Sequence, residues 1–167
     1  MCKKGQLLVK CKIDELDLMS IVIAGACHDH EHFGYNNAYL VDNKDPIAIN
    51  YNDQSVLENH HIASSFAVML SDPKFNVLAT LVKDDFKRAR QLMIGCVLAT
   101  DMSKHFSEGS KFKTRVNAED FDPSKGLDKE TTIHMLFHLS DISNTSKPWE
   151  LCQKWIDLLF FGEFFVQ

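Results

Sequence analysis

The run His28-Asp29-His30-Glu31-His32-Phe33-Gly34-Tyr35-Asn36-Asn37 sets three imidazoles and two carboxylates within five consecutive positions, directly after the apolar stretch 19–27. Imidazole nitrogens and carboxylate oxygens are the donors that hold divalent metals, and the edge of an apolar core orients such donors while leaving them reachable. Two further groups share this chemistry: Glu58-Asn59-His60-His61 and His134-Met135-Leu136-Phe137-His138-Leu139-Ser140-Asp141. Seven of the eight histidines fall in these three clusters. Long apolar segments separate them, so the pattern points to one site assembled in space.

Each group also has a plainer account. His28 and His32 are four apart and share a helix face, while Asp29 points about 100° away unless the helix ends there, and Gly34 supplies an end. A solvated polar helix end is the competing reading of this run. A zincin motif is excluded, because the second histidine after His30-Glu31 would fall at position 34, which is glycine. Glu58, three residues after Ser55, taken alone reads as the acid of a capping box. Asp141 closes the apolar stripe Ile133, Leu136 and Phe137, and a buried carboxylate needs a cation or strong donors. Thr100-Asp101-Met102 reads equally well as a helix C-terminal turn, with Lys104 and His105 complementing the dipole. No Ser or Cys nucleophile with a paired base stands out, and no Gly-rich phosphate loop is present. A hydrolytic nucleophile would therefore be metal-activated water.

The elements that must position these groups are helices. No alternating segment is long enough to argue for a sheet, so the expected fold class is all-α. The spacing predicts a central, buried helix over 14–27, a short helix over 36–41, a turn at 42–46 and a helix over 55–70. A long amphipathic helix is predicted over 83–106, with Phe86, Ala89, Met93 and Val97 on one face and Lys87, Arg88 and Arg90 on the other. Residues 107–129, with Gly109, Asn117, Pro123 and Gly126 among many charges, read as an extended loop without chemistry. Helices over 130–140 and from Pro148 to the end complete the chain.

At 167 residues the chain fits one domain able to bury a sizeable core, with no second domain. A formal net charge of −5 without a long Lys/Arg run argues against nucleic-acid binding, which draws its affinity from neutralising phosphates. The expected partner is small. Cys2, Cys11, Cys27, Cys96 and Cys152 form an odd, scattered set without C-x-x-C, which fits neither a disulfide framework nor a zinc knuckle. No apolar run is long enough for a membrane span, and no signal-peptide pattern is visible, so a soluble, cytoplasmic protein is expected.

Four segments carry a family resemblance: His28-Asp29-His30-Glu31-His32-Phe33-Gly34 with Asn37; Tyr51-Asn52-Asp53-Gln54-Ser55-Val56-Leu57-Glu58-Asn59-His60-His61; Val97-Leu98-Ala99-Thr100-Asp101-Met102-Ser103-Lys104-His105; and His138-Leu139-Ser140-Asp141-Ile142-Ser143-Asn144 with Lys147-Pro148. In that order and over 17–167, the chain resembles the catalytic domain of class I 3′,5′-cyclic nucleotide phosphodiesterases, within the HD-type metal-dependent phosphohydrolases. The resemblance implies a compact multi-helix domain of which this chain is the central part. It implies two divalent metals, zinc and magnesium, with His28, Asp29 and Asp141 as zinc ligands and Asp29 bridging both. His32, Glu58 and Thr100 would hold metal-bound waters, and Met102 and Asn144 would border the substrate. The implied reaction is hydrolysis of cAMP, cGMP or both to nucleoside 5′-monophosphates by a two-metal-activated hydroxide.

The sequence departs from the family pattern in ways that bear on activity. The family's upstream His-Asn-x-x-His segment, source of the general acid and a fourth zinc ligand, does not occur in 1–27, so no general acid is identified. Gln167 matches the Phe-Phe-x-Gln position, whereas the purine-holding Gln belongs to a later helix. Phe33, Ser140 and Thr145 stand where Pro, Ala and Pro are common. The expectation is a catalytic-domain fragment, weakly active alone; the alternative is an inactive metal- or nucleotide-binding or interaction module. Should the chain be active, His105 or His138 is the candidate substitute acid.

Overall fold

A computed structural model describes residues 6–163. Cys2 and the Phe164-Phe165-Val166-Gln167 end, with Gln167, lie outside the described residues. The described residues form α1 (Leu7–Lys10), α2 (Glu15–Cys27), α3 (Asn37–Asp42), α4 (Pro46–Asn50), α5 (Val56–Ser71), α6 (Lys83–Leu98), α7 (His105–Val116), α8 (Gly126–Asp141) and α9 (Trp149–Glu163), with 3-10 turns at Met102–Lys104 and Ile142–Ser146 and no strand. The all-α expectation holds.

Helix α2 starts where its sequence says it should. Asp14 accepts the Asp17 N–H at 2.8 Å and returns its own N–H to the Asp17 carboxylate at 3.2 Å, a reciprocal cap that uses two otherwise orphaned donors. The main core lies where α2, α5, α6 and α8 meet, around Ala24, Ile62, Phe66, Met93, Val97 and Ile133. The predicted apolar stripe of α6 is its buried face, with Ala89, Met93 and Val97 fully enclosed. A smaller core of Leu40, Ala48, Val56 and Leu57 seats α3 and α4 against the start of α5.

Several expectations change. Helix α2 is not buried all round: Leu18 and Val22 are exposed, Val22 by 65%. The core covers only the side carrying Ser20 and Ala24, so apolar composition alone misplaced the other side. Residues 42–46 do turn, but Pro46 then opens α4, with Asp45 accepting the Ile47 N–H. The helix predicted over 83–106 stops at Leu98. Thr100 turns its hydroxyl back on the Val97 carbonyl at 2.7 Å, and Asp101 accepts the Ser103 N–H and hydroxyl, restarting the chain in a new direction. The loop predicted over 107–129 is mostly helical, as α7 and the first turn of α8. With no buried residue to give it a pattern, α7 is tied down by polar contacts: Arg115 forks onto Asp128 at 2.7 and 2.8 Å and reaches Asp120 at 2.6 Å.

Helix direction gathers the chemistry-bearing residues at one end of the core. Near their starts, α2, α6 and α8 meet through Asp17, Arg88 and Lys129. Their far ends deliver His28, Thr100 and Asp141 to one region. The three helices run side by side in one direction, and α5 runs the other way.

Candidate functional site

His28 follows the last residue of α2, and its Nδ1 donates to the Gly25 carbonyl at 2.9 Å. That bond fixes the ring and turns Nε2 toward the end of α8. There Nε2 lies 3.2 Å from Asp29 Oδ2 and 3.2 Å from Asp141 Oδ1. The Asp141 carboxylate, and then that of Asp29, hold a proton on His28 and push its pKa up to about 10. The imidazolium in turn holds Asp29 below the usual carboxylate range. An imidazolium thus sits where two carboxylates call for a cation.

The donor chemistry suits a metal ion. Ligands on a tetrahedral zinc at about 2.0–2.1 Å stand about 3.3 Å apart, close to the 3.2 Å separations seen here. Loss of the Nε2 proton would leave one nitrogen and two carboxylates facing a common point. Among the described residues no three His, Cys, Asp or Glu groups already form a complete metal cage. The field favours a cation too: α2, α6 and α8 all direct their carboxyl ends, which carry partial negative charge, at this region.

Beside the cluster opens a cleft of ≈ 410 Å³, lined by Asp29, His32, Asn36, Asn37, Ala38, Leu57, Glu58, His61, Thr100, Asp101, Met102, Ser103 and Asp141. Asp29, His32, Glu58, Thr100, Met102 and Asp141, all singled out from sequence, share this one wall, and His28 abuts it. Asn144 does not line it; it lies on the 3-10 turn after α8. His105 and His138 also lie elsewhere, 2.7 Å apart beside a second cavity of ≈ 300 Å³ between α6, α7 and α8.

Each cleft side chain is held by its neighbours. His32 accepts the Gly34 N–H on Nδ1 at 3.1 Å, and its ring stacks on His61 with centroids 5.6 Å apart. Gly34 makes this turn at φ +83, a backbone state that favours glycine. His61 is buried, which lowers its pKa, and its Nδ1 donates to the His30 carbonyl at 2.6 Å.

The expected Ser55–Glu58 capping box does not form. Ser55 takes a left-handed conformation and gives its hydroxyl to Asp101 at 2.7 Å. Asn37 serves instead, accepting the Leu57 N–H at 2.9 Å and donating to Glu58 Oε2 at 3.0 Å. One amide thus caps α5 from outside and aims Glu58 into the cleft, where burial pushes its carboxyl up.

Asp101 is the main cleft residue that sequence reasoning left as a helix end. It is 3% exposed. Burial works to raise its carboxyl, but the Ser103 and Ser55 hydrogen bonds, with the Ser103 N–H and the Lys104 charge, hold it below the usual range. The available signal was an Asp with Ser two positions later, just where the apolar period of α6 breaks.

Sequence comparison matches residues 1–167 to the family described as 3′5′-cyclic nucleotide phosphodiesterase. The chain is 40% identical over 160 residues to the bovine (Bos taurus) dual specificity calcium/calmodulin-dependent 3′,5′-cyclic nucleotide phosphodiesterase 1B, covering 96% of this chain and 28% of that protein. It is 37% identical over 155 residues to the probable 3′,5′-cyclic phosphodiesterase pde-1 of Caenorhabditis elegans, covering 93% of this chain and 22% of that one. Among solved structures, the phosphodiesterase domain of the RhoPDE fusion protein of the choanoflagellate Salpingoeca rosetta superposes with a TM-score of 0.83 at 34% identity. That superposition covers 92% of this chain and 50% of the other. The chain therefore spans less than a third of the length of the curated relatives it matches.

Proposed function

The chain belongs to the 3′,5′-cyclic nucleotide phosphodiesterase family, and from that premise we propose that its cleft hydrolyses cAMP, cGMP or both to nucleoside 5′-monophosphates. The observation that carries the reading is the convergence of His28, Asp29 and Asp141 beside a cleft that also receives His32, Glu58 and Thr100. Family membership implies dependence on divalent metals. The finer assignment is zinc on His28, Asp29 and Asp141, with Asp29 shared by magnesium. When bound, these ions would neutralise phosphoryl charge and acidify the attacking water.

The protein's own groups supply orientation and proton handling. The Gly25 carbonyl holds His28 Nδ1–H, which leaves Nε2 as the atom that gives up a proton to become a donor. Glu58, steered by Asn37, and His32, steered by the Gly34 N–H, face the same cleft and would orient the attacking water. The Thr100 hydroxyl spends its proton on Val97, which leaves its lone pairs to accept from water. Met102, 57% exposed at the rim, would border the substrate; the same role for Asn144 requires substrate to extend past the end of α8. Among the described residues no helix is long and apolar enough to cross a membrane, and a cytoplasmic location is part of this reading.

The test is metal-dependent release of 5′-monophosphate from cAMP and cGMP by the 167-residue chain, with His28→Ala and Asp141→Asn as comparisons. The reading expects weak turnover that both substitutions abolish. An unchanged rate in both variants would overturn it. Tight nucleotide binding with no turnover under any metal would favour the binding-module alternative.

A further inference from the structure

The ends of α2 and α8 opposite the cleft are joined by a buried ionic knot that the proposed chemistry does not use. Asp17, 4% exposed, receives Arg88 Nη2 of α6 on Oδ1 at 2.6 Å and Lys129 Nζ of α8 on Oδ2 at 2.6 Å. Each oxygen of one carboxylate is thus claimed by a different helix. Arg88 also pairs with Asp14, and Lys129 reaches the Lys12 carbonyl at 2.9 Å. From Asp17 to His28, Arg88 to Thr100 and Lys129 to Asp141 the spacing is 11 or 12 positions in every case, roughly 16–18 Å of helix.

We infer that the Asp17–Arg88–Lys129 knot is a positioning device that sets the register of α2 against α8 and thereby the separation of His28 from Asp141. The inference rests on the metal-binding reading of the cleft. Between the two ends, the facing sides of α2 and α8 leave an apolar groove of ≈ 180 Å³ bordered by Ile21, Ile133, Leu136 and Phe137. Apolar contact is non-directional and tolerates sliding. A slip of one residue moves a helix by about 1.5 Å, whereas metal ligands must stand within about 0.2 Å of their proper distances. Two charged hydrogen bonds on opposite oxygens of a buried carboxylate resist such a slip, because movement of α8 would strip Lys129 from Asp17. Asp17 and Lys129 touch neither the cleft nor its metal ligands, so they act only through the helices.

Two readouts test this on the full chain for Lys129→Met, with Lys129→Arg as the conservative variant and Phe66→Leu as a core control that lowers stability away from the knot. The first is the downfield proton signal of the His28 Nε2–H in metal-free protein, which reports its hydrogen bonds to Asp29 and Asp141. The second is zinc affinity by competition with a chromophoric chelator. Lys129→Met is expected to lose the signal and weaken zinc binding about tenfold, the low end for groups that orient metal ligands. Lys129→Arg and Phe66→Leu should keep both. A Lys129→Met protein with lowered thermal stability but unchanged signal and zinc affinity would overturn the inference, as would absence of the signal in the unaltered chain. If the unaltered chain binds no zinc yet loses the signal in Lys129→Met, the positioning role stands and the metal reading fails.

Discussion

His28 and Asp141, more than a hundred residues apart in the chain, meet side chain to side chain at 3.2 Å. The contact joins the end of α2 to the end of α8 and gives the cleft its charged wall. In the metal-free protein a proton on His28 is what balances the two carboxylates.

That proton makes stability and metal binding respond to pH in opposite senses. The His28 pKa rises from an ordinary value of about 6.5 to about 10 on folding. Its stabilisation is therefore fully present below about 6.5 and is lost as pH climbs toward 10. A metal must displace the same proton, so metal affinity should rise over that interval. Thermal melts in chelator between about pH 7 and 10 should show a decline that His28→Gln flattens. Equal slopes for the two proteins would show that the paired imidazolium contributes nothing to folding.

Asn37 and Glu58 separate capping from cleft chemistry. Asn37→Ala removes the acceptor for the Leu57 N–H and should cost about 1 kcal/mol in denaturant melts, as cap losses do. Glu58→Gln removes no cap, because Ser55 and Glu58 do not form one. It should leave the melting midpoint nearly unchanged while lowering cyclic-nucleotide turnover about 10- to 100-fold in a version of the protein that turns over measurably. A large stability loss in Glu58→Gln with normal turnover would return Glu58 to a structural role.

Gly95 in α6 has a packing reason to be glycine. A Cβ there would lie 2.2 Å from His134 Nε2 of α8. Gly95→Ala should destabilise by about 1–3 kcal/mol despite the better helix propensity of alanine. Adding His134→Ala clears the collision and should recover most of that loss in thermal melts. Failure to recover would mean that α6 and α8 cannot approach each other for another reason.

The sequence by itself determined much of the helical layout: the Asp14 cap, the Ala89-Met93-Val97 stripe and the placing of His28-Asp29 and Asp141 at helix ends. These follow from bonds and periodicities that reach only three or four residues, so neighbours in the chain suffice to specify them. Asp14 and Asp17 cap α2 whatever the rest of the molecule does. The tertiary structure decided the outcomes that rest on competition among partners. Ser55 could cap its own helix or serve Asp101, Glu58 could fold back or meet Asn37, and α6 could run on past Thr100 or stop there. Each alternative is sound locally, and burial chose between them, because a desolvated carboxylate such as Asp101 or Asp17 must find donors wherever the packed chain supplies them. Those donors came from Ser55, Arg88 and Lys129, distant residues whose proximity exists only after the helices have packed.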